Sequence, residues 1–226
     1  MEADNEFLQL ADLLDLGPDL FETAMEHFED INFDVFHFCQ LFTGNDKSMA
    51  FMIHKIFQKY ELYKKYHIAC ETLHNWSTEM AAGYFRENKY HNQEHIIDSL
   101  QAMHYLLTVG NLQKMLPKLD IYSVFVANVI HDFEHPGYQN QFIVRTKHPI
   151  AMRYSDVSVL EQHHLAAAFS VFLKNDECNI MRNLPWDMYR QSRKMIIEIV
   201  LNSDFSKHFS LMTTLKTKLG NNLQPD

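Results

Sequence analysis

From Asp34 onward, apolar residues recur three or four apart, and no period-two alternation lasts long enough to build a strand. Phe51, Met52, Ile56 and Tyr60 mark one helix, running over Met49–Lys59 behind the start signal Asp46-Lys47-Ser48. Leu73, Trp76, Met80 and Tyr84 mark another, opening at His67-Ile68-Ala69-Cys70. Met195, Ile196, Ile199 and Val200 form the face of a third, entered through the turn Asn183-Leu184-Pro185-Trp186. Ile121–Ile130 is apolar almost all round, which predicts a central helix, and it ends on the doublet His131-Asp132. Six Gly and six Pro are too few for a fold of many tight β turns, and 46% hydrophobic residues supply a substantial core. The expectation is an all-α, compact multi-helix bundle, and 226 residues suit one domain or a large part of one.

The chemistry-bearing residues gather around that doublet. His91 and His95 stand four apart in Tyr90-His91-Asn92-Gln93-Glu94-His95, a spacing that stacks two side chains on one helix face. His135 follows His131 at the same interval, in His131-Asp132-Phe133-Glu134-His135-Pro136-Gly137, with Pro136-Gly137 as the helix stop. Imidazole suits zinc and other transition metals, and carboxylate suits harder ions. Two such helices across a cleft could hold one cation of each kind. With 14 His in the chain a lone pair at this spacing arises by accident, and the metalloprotease pattern is excluded because Glu94 is not at position 92. The second cluster is what gives the first its weight. Asp98 is placed to orient a ligand from behind, while His54 reads as a surface or half-buried residue and His104 as core or surface.

Composition narrows the partners. A net charge of −9 without a basic stripe is poor for nucleic acid, so an anionic substrate would need positive charge from bound metal. Cys39, Cys70 and Cys178 form no CxxC pair and read as thiols in a reducing, cytoplasmic compartment. Asn75-Trp76-Ser77 is formally a glycosylation sequon, but the first residues lack a basic signal-peptide region, and the apolar runs at 121–130 and 166–173 are too short to span a bilayer.

The motif His131-Asp132-x-x-His135-x-Gly137-x-x-Asn140, with Tyr90-His91-Asn92-x-x-His95 before it and Leu160-Glu161-Gln162-His163-His164 after it, resembles the class I cyclic nucleotide phosphodiesterases, a branch of the HD-type metal phosphohydrolases. The resemblance runs from about Phe33 to about Leu215, and Leu201–His208 resembles a further family motif. Phe33-Asp34-Val35-Phe36 and the stretch around Phe51-Met52-Ile53 look most like the calmodulin-stimulated branch, without assigning one. It implies hydrolysis of 3',5'-cyclic nucleotides by a water activated between a tightly bound zinc and a weaker magnesium or manganese. His95, His131 and Asp132 then take the tight metal, with Asp132 bridging. His135 reaches the second metal through water, and His91 is the proton donor. Glu161 orients His91 or a water on the metal, and Tyr90 and Asn140 line the substrate pocket. For Glu161 the capping-box spacing from Ser158 is an equally serious structural account.

Ile96-Ile97, Ser155 and Ser203 depart from the family's usual residues. The family's second metal-ligand Asp and its purine-holding Gln lie further downstream than this sequence reaches, so the expected organisation is a lead-in over 1–30 and a partial catalytic domain over 31–226, lacking its C-terminal third. No preference between cyclic AMP and cyclic GMP is therefore legible, and weak turnover by the chain alone is expected. The lead-in, with Leu8, Leu10, Leu13, Leu14 and Leu16 before Gly17-Pro18, reads as a short amphipathic helix, solvated or partner-binding. Residues 138–157 read as a polar, irregular wall beside the cleft. Two alternatives stay open: another HD-type nucleotide phosphohydrolase, and a non-catalytic partner that pairs with itself or with a full-length relative.

Overall fold

The structure, a computed structural model, describes residues 28–42 and 45–222, together with residues 13, 14, 17, 20, 23, 24 and 26. Helices α1 (Val35–Gln40), α2 (Asn45–Lys59), α3 (Leu62–Tyr66), α4 (Cys70–Ala82), α5 (Gln93–Val109) and α6 (Lys118–Ile130) form the first part. After them come α7 (Asn140–Arg145), α8 (Pro149–Arg153), α9 (Val159–Lys174), α10 (Trp186–Asn202) and α11 (His208–Asn222). There is no strand among the described residues.

Helix α6 is the axis of the bundle. Ile121, Tyr122, Phe125, Val126, Ala127 and Val129 are all buried, so it is enclosed on nearly every side, as its composition requires. Burying each large apolar side chain stabilises the fold by about 1.5–3 kcal/mol. Helix α10 packs along α6 most extensively, and α5 covers another side. Small polar residues let α6 and α10 approach: the Ser123 hydroxyl, already 2.7 Å from the carbonyl of Leu119, lies 2.8 Å from that of Ser192. Pro185 precedes Trp186 at the start of α10, as a fixed φ favours.

A helix must satisfy its last carbonyls elsewhere. On α6 the Tyr84 hydroxyl donates to the carbonyl of Val129 at 2.6 Å, and the Nδ1 of His131 lies 2.7 Å from that of Asn128. The Asn128 amide donates to the hydroxyl of Ser99 at 2.9 Å, tying α6 to α5. The end that carries the His-Asp doublet is thus pinned from two directions.

Upstream, the buried side-chain amide of Gln101 on α5 donates to the carbonyls of Phe28 and Asp30, at 3.0 and 2.7 Å, and the Phe28 ring stacks on His104. Leu14, Ala24 and Phe28 are buried in the same core, whereas Leu13 is exposed; Leu8, Leu10 and Leu16 lie outside the described residues. His54 is fully buried against Tyr63 rather than at the surface, because α2 is covered by both α4 and α5. His104 is core.

Residues 138–157 are not an irregular wall. They hold α7 and α8, whose Ile143 and Ala151 bury with Val159 and Leu160 in a small second core. The run at 166–173 is buried on one face alone, and Leu173 is 89% exposed. No helix among the described residues is long and apolar enough to cross a membrane.

Candidate metal centre

The two His motifs meet, but the helical phasing expected for each is not what brings them together. Helix α5 begins at Gln93 with Asn92 as its N-cap, whose side chain accepts from the backbone N–H of His95 at 3.2 Å. His91 therefore stands on the loop before the helix, its ring 6.0 Å from that of His95. Likewise α6 ends at Ile130, and Glu134 takes a left-handed φ of 57° well before Pro136-Gly137. That bend turns His135 back toward His91, and the N–H of Glu134 bonds the carbonyl of Gly83 at 3.1 Å.

Asn88 sews the two loops together. Its amide donates to the carbonyls of His135 and His91, at 2.7 and 3.2 Å, while its own carbonyl accepts from the side chain of Asn92 at 3.1 Å. Gly137 has φ +80° and would place a Cβ 2.7 Å from Oδ1 of Asn88, so glycine is needed there twice over. Gly83 admits the ring of Phe133 where a Cβ would sit.

His95, His131 and Asp132 converge. Oδ2 of Asp132 lies 3.3 Å from Nε2 of His95 and 3.2 Å from Nε2 of His131, and the two Nε2 atoms are 3.3 Å apart. His131 donates through Nδ1 to the carbonyl of Asn128, since a carbonyl only accepts, so its Nε2 lone pair is turned to the shared point. Two imidazole nitrogens and one carboxylate oxygen within 4.8 Å of one another fit a zinc-like cation. Burial works against charge on Asp132, but the His131 and His95 hydrogen bonds outweigh it and hold the carboxyl well below its ordinary range. For His131, burial would lower the pKa, and the neighbouring Asp132 raises it on balance.

A second group, His91, Asp132 and His135, shares the carboxylate. The His91 and His135 rings stack with centroids 3.7 Å apart and planes at 12°. His135 is not set up as a direct ligand, because its Nδ1 accepts from the N–H of Gly137 at 3.0 Å, which leaves the proton of the neutral ring on Nε2. It is a donor, suited to holding a water. Burial lowers the pKa of His135 to about 4 and also lowers that of His91, which Asp132 partly restores.

Glu161 sits on α9, buried, with its pKa raised by burial against the lowering hydrogen bond from Asn140. The capping box does not form: Ser158 has φ 40° and makes no side-chain cap, and its hydroxyl lies 2.7 Å from Oδ2 of Asp204. Asn140 supplies the cap from α7 instead. Tyr90 is 64% exposed, its ring 4.6 Å from that of His95, at the mouth of a cavity of about 520 Å³ that Phe33, Asn92 and Asp98 also line. Asp98 is exposed, and no bond joins it to His95 among the described residues. His163 pairs with Glu134 at 3.1 Å, outside the centre. His164, which motif spacing did not single out, is inside it. The doubled His beside Glu161 was the available signal.

An all-helical domain whose central helix ends at a His-Asp pair, joined by His95 from a second helix and by His91 and His135 from two loops, has the donor set of a metal-dependent hydrolase fold. The family model described as 3'5'-cyclic nucleotide phosphodiesterase matches residues 90–225, and the chain belongs to that family. It is 37% identical over 199 residues to the 3',5'-cyclic-AMP phosphodiesterase 4C of Mus musculus, across 87% of this chain and 29% of that protein. It is 34% identical over 197 residues to the human dual specificity calcium/calmodulin-dependent 3',5'-cyclic nucleotide phosphodiesterase 1C, across 87% of this chain and 28% of that one. The chain thus spans less than a third of the length of these two relatives. The phosphodiesterase domain of the RhoPDE fusion protein from the choanoflagellate Salpingoeca rosetta superposes with a TM-score of 0.78 at 25% identity, covering 89% of this chain and 61% of that one.

Proposed function

We propose that residues 31–226 belong to a catalytic domain that hydrolyses 3',5'-cyclic nucleotides to 5'-nucleotides in the cytoplasm, with residues 1–30 as its lead-in. The observation that carries this is the sharing of Asp132 between two His groups, within a chain of this family. His95, His131 and Asp132 would hold zinc. The softer imidazoles favour it there, and Asp132 would also reach a magnesium or manganese ion. When bound, such cations would lower the pKa of a water and neutralise phosphate charge.

The chain's own residues do the rest. His135 holds a water through its Nε2–H. As the water oxygen bonds to phosphorus, the ester bond to the ribose oxygen breaks and His91 delivers a proton to that oxygen, which leaves poorly as an alkoxide; the proton that the water sheds restores His91 through solvent. Half-burial keeps His91 close to neutral, and the charge of Asp132 favours its protonated form. Glu161 orients His91 or a water in the centre. Tyr90 forms one lip of the substrate site beside His95, and Asn140 supports the opposite side through Glu161. The test is turnover of cyclic AMP and cyclic GMP by purified protein with zinc and magnesium. No turnover of either, alongside hydrolysis of another nucleotide phosphate, would move the chain to a different HD-type activity.

A pairing role has its own support. On α11, Phe209, Leu211, Met212, Leu215 and Leu219 are all exposed, and Phe209 reaches 76%. The helix packs chiefly against the short turn before it. Such a face favours association with a second copy or a full-length relative. Size-exclusion chromatography of the parent against Phe209→Ser/Leu215→Ser reads this out, and an unchanged monomer in both would end it.

A further inference from the structure

His164 takes no part in the chemistry above, yet it is 1% exposed and lies against the centre. Its Nδ1 is 2.6 Å from the carbonyl of Phe133, so Nδ1 carries a proton. The buried ring gives its Nδ1 hydrogen to that carbonyl and so turns Nε2 toward the centre. That Nε2 has no hydrogen-bond partner among the described residues, and it stands 3.8 Å from Oδ1 of Asp132. A buried acceptor facing an oxygen of the half-buried Asp132 carboxylate destabilises the fold unless a donor reaches both. The other oxygen of Asp132, Oδ2, faces His95 and His131, so the carboxylate presents one oxygen to each side. The His135 ring lies over that of His164, centroids 5.6 Å apart at 21°, and closes the same space with its own Nε2–H.

We propose that His164 is a positioning residue for the second cation: its Nε2 accepts a hydrogen bond from a water in that cation's hydration shell, and the same water reaches Oδ1 of Asp132. The inference rests on the two-cation reading and adds to it a residue acting from behind the carboxylate. Magnesium and manganese keep several waters when bound, so the acceptors that hold those waters govern affinity. Zinc, on the Oδ2 side, draws on different atoms. Loss of such an outer acceptor typically weakens metal binding about 10- to 100-fold.

The experiment measures binding rather than turnover. Protein loaded with zinc is titrated with Mn²⁺, and free Mn²⁺ is read by electron paramagnetic resonance, for the parent, His164→Asn, His164→Phe and His164→Gln. Asn keeps a donor for the Phe133 carbonyl and has no atom at the Nε2 position, Phe keeps the stacking ring, and Gln restores an acceptor farther out. The expected result is a Mn²⁺ affinity about 10- to 100-fold weaker in Asn and Phe, recovered at least in part by Gln, with zinc content unchanged throughout. Should Phe fail to give a cooperative melt, Asn decides. Mn²⁺ affinity within twofold of the parent in Asn overturns the proposal, as does joint loss of zinc and manganese. A parent that binds zinc but no Mn²⁺ overturns the two-cation reading itself, an outcome visible before any variant is made.

Discussion

Asn140 grips Glu161 with one end of its amide and caps the helix that carries Glu161 with the other. Its NH₂ donates to both carboxylate oxygens, at 3.3 and 3.0 Å, and its oxygen accepts from the N–H of Leu160 at 2.9 Å. Burial already raises the pKa of Glu161, and this bond restrains the rise. Asn140→Ala should therefore move the acidic limb of the kcat/KM profile for cyclic AMP to higher pH. It should also lower stability by about 1 kcal/mol through the lost cap. An unmoved limb with normal kcat would show that Glu161 does not work as a carboxylate.

His91 and His131 separate by metal content. His131→Ala removes a lone pair from the tight group, and zinc retained after dialysis should fall well below the parent's. In a protein extended through the downstream family motifs, His91→Ala should keep its zinc and lose about 10²–10⁴-fold in turnover, the usual worth of a general acid. Metal loss in His91→Ala, with no separate effect on rate, would make it a ligand.

Gly137→Ala tests the seam between the loops. A side chain at φ +80° is strained, and its Cβ would press on Asn88. A loss of about 1–3 kcal/mol is expected by chemical denaturation. Asn88→Ala in the Gly137→Ala background should then cost less than it does alone, because the contact is already broken. Full additivity would place the effect elsewhere.

Two buried histidines away from the metal centre should make the protein acid-sensitive. Burial, with His74 nearby, pushes His54 down to about 3. Burial also lowers His104 to about 4, against the raising effect of Glu29 and with the lowering effect of Lys59. Both stay neutral in the fold and take up a proton on unfolding below their ordinary value. The stability they confer is complete above about pH 6.5 and is lost as pH falls toward 4. Each contributes a slope of about 1.4 kcal/mol per pH unit in that window. Urea melts at pH 7, 6 and 5 on the parent and on His104→Phe should show a shallower loss in the variant. Parallel loss would remove His104 as a cause.

The all-helical architecture, the burial of Ile121–Ile130 and the gathering of His91, His95, His131, Asp132 and His135 were legible from spacing and motif. Helix ends were not. The four-residue spacings suggest helical stacking of His91 on His95 and of His135 on His131, but the first pair straddles the start of α5 and the second lies wholly beyond the end of α6. Ser158 promised a cap that Asn140 provides from another helix, because Ser158 itself is drawn to Asp204. Residues 138–157 look loop-like because their apolar residues fall in short runs broken by Thr146-Lys147-His148-Pro149, yet Ile143 and Ala151 find a core with α9.

What the sequence determined by itself is what repeats along the chain: helical periodicity, the apolar run that must be central, and the ligand types brought to its end. Burial follows from composition, so it can be read locally. The tertiary structure decided which atom of each ring faces inward. Asn128, Gly137 and Phe133 each engage Nδ1 of a different histidine, and by taking a proton there or giving one they set Nε2 as a lone pair in His131 and His164 and as a donor in His135. Phe133 is distant in sequence from His164, Gly137 lies on a loop with left-handed residues, and Asn128 reaches His131 only because α6 ends where it does. A hydrogen bond depends on sub-ångström placement, which no pattern of residue types encodes.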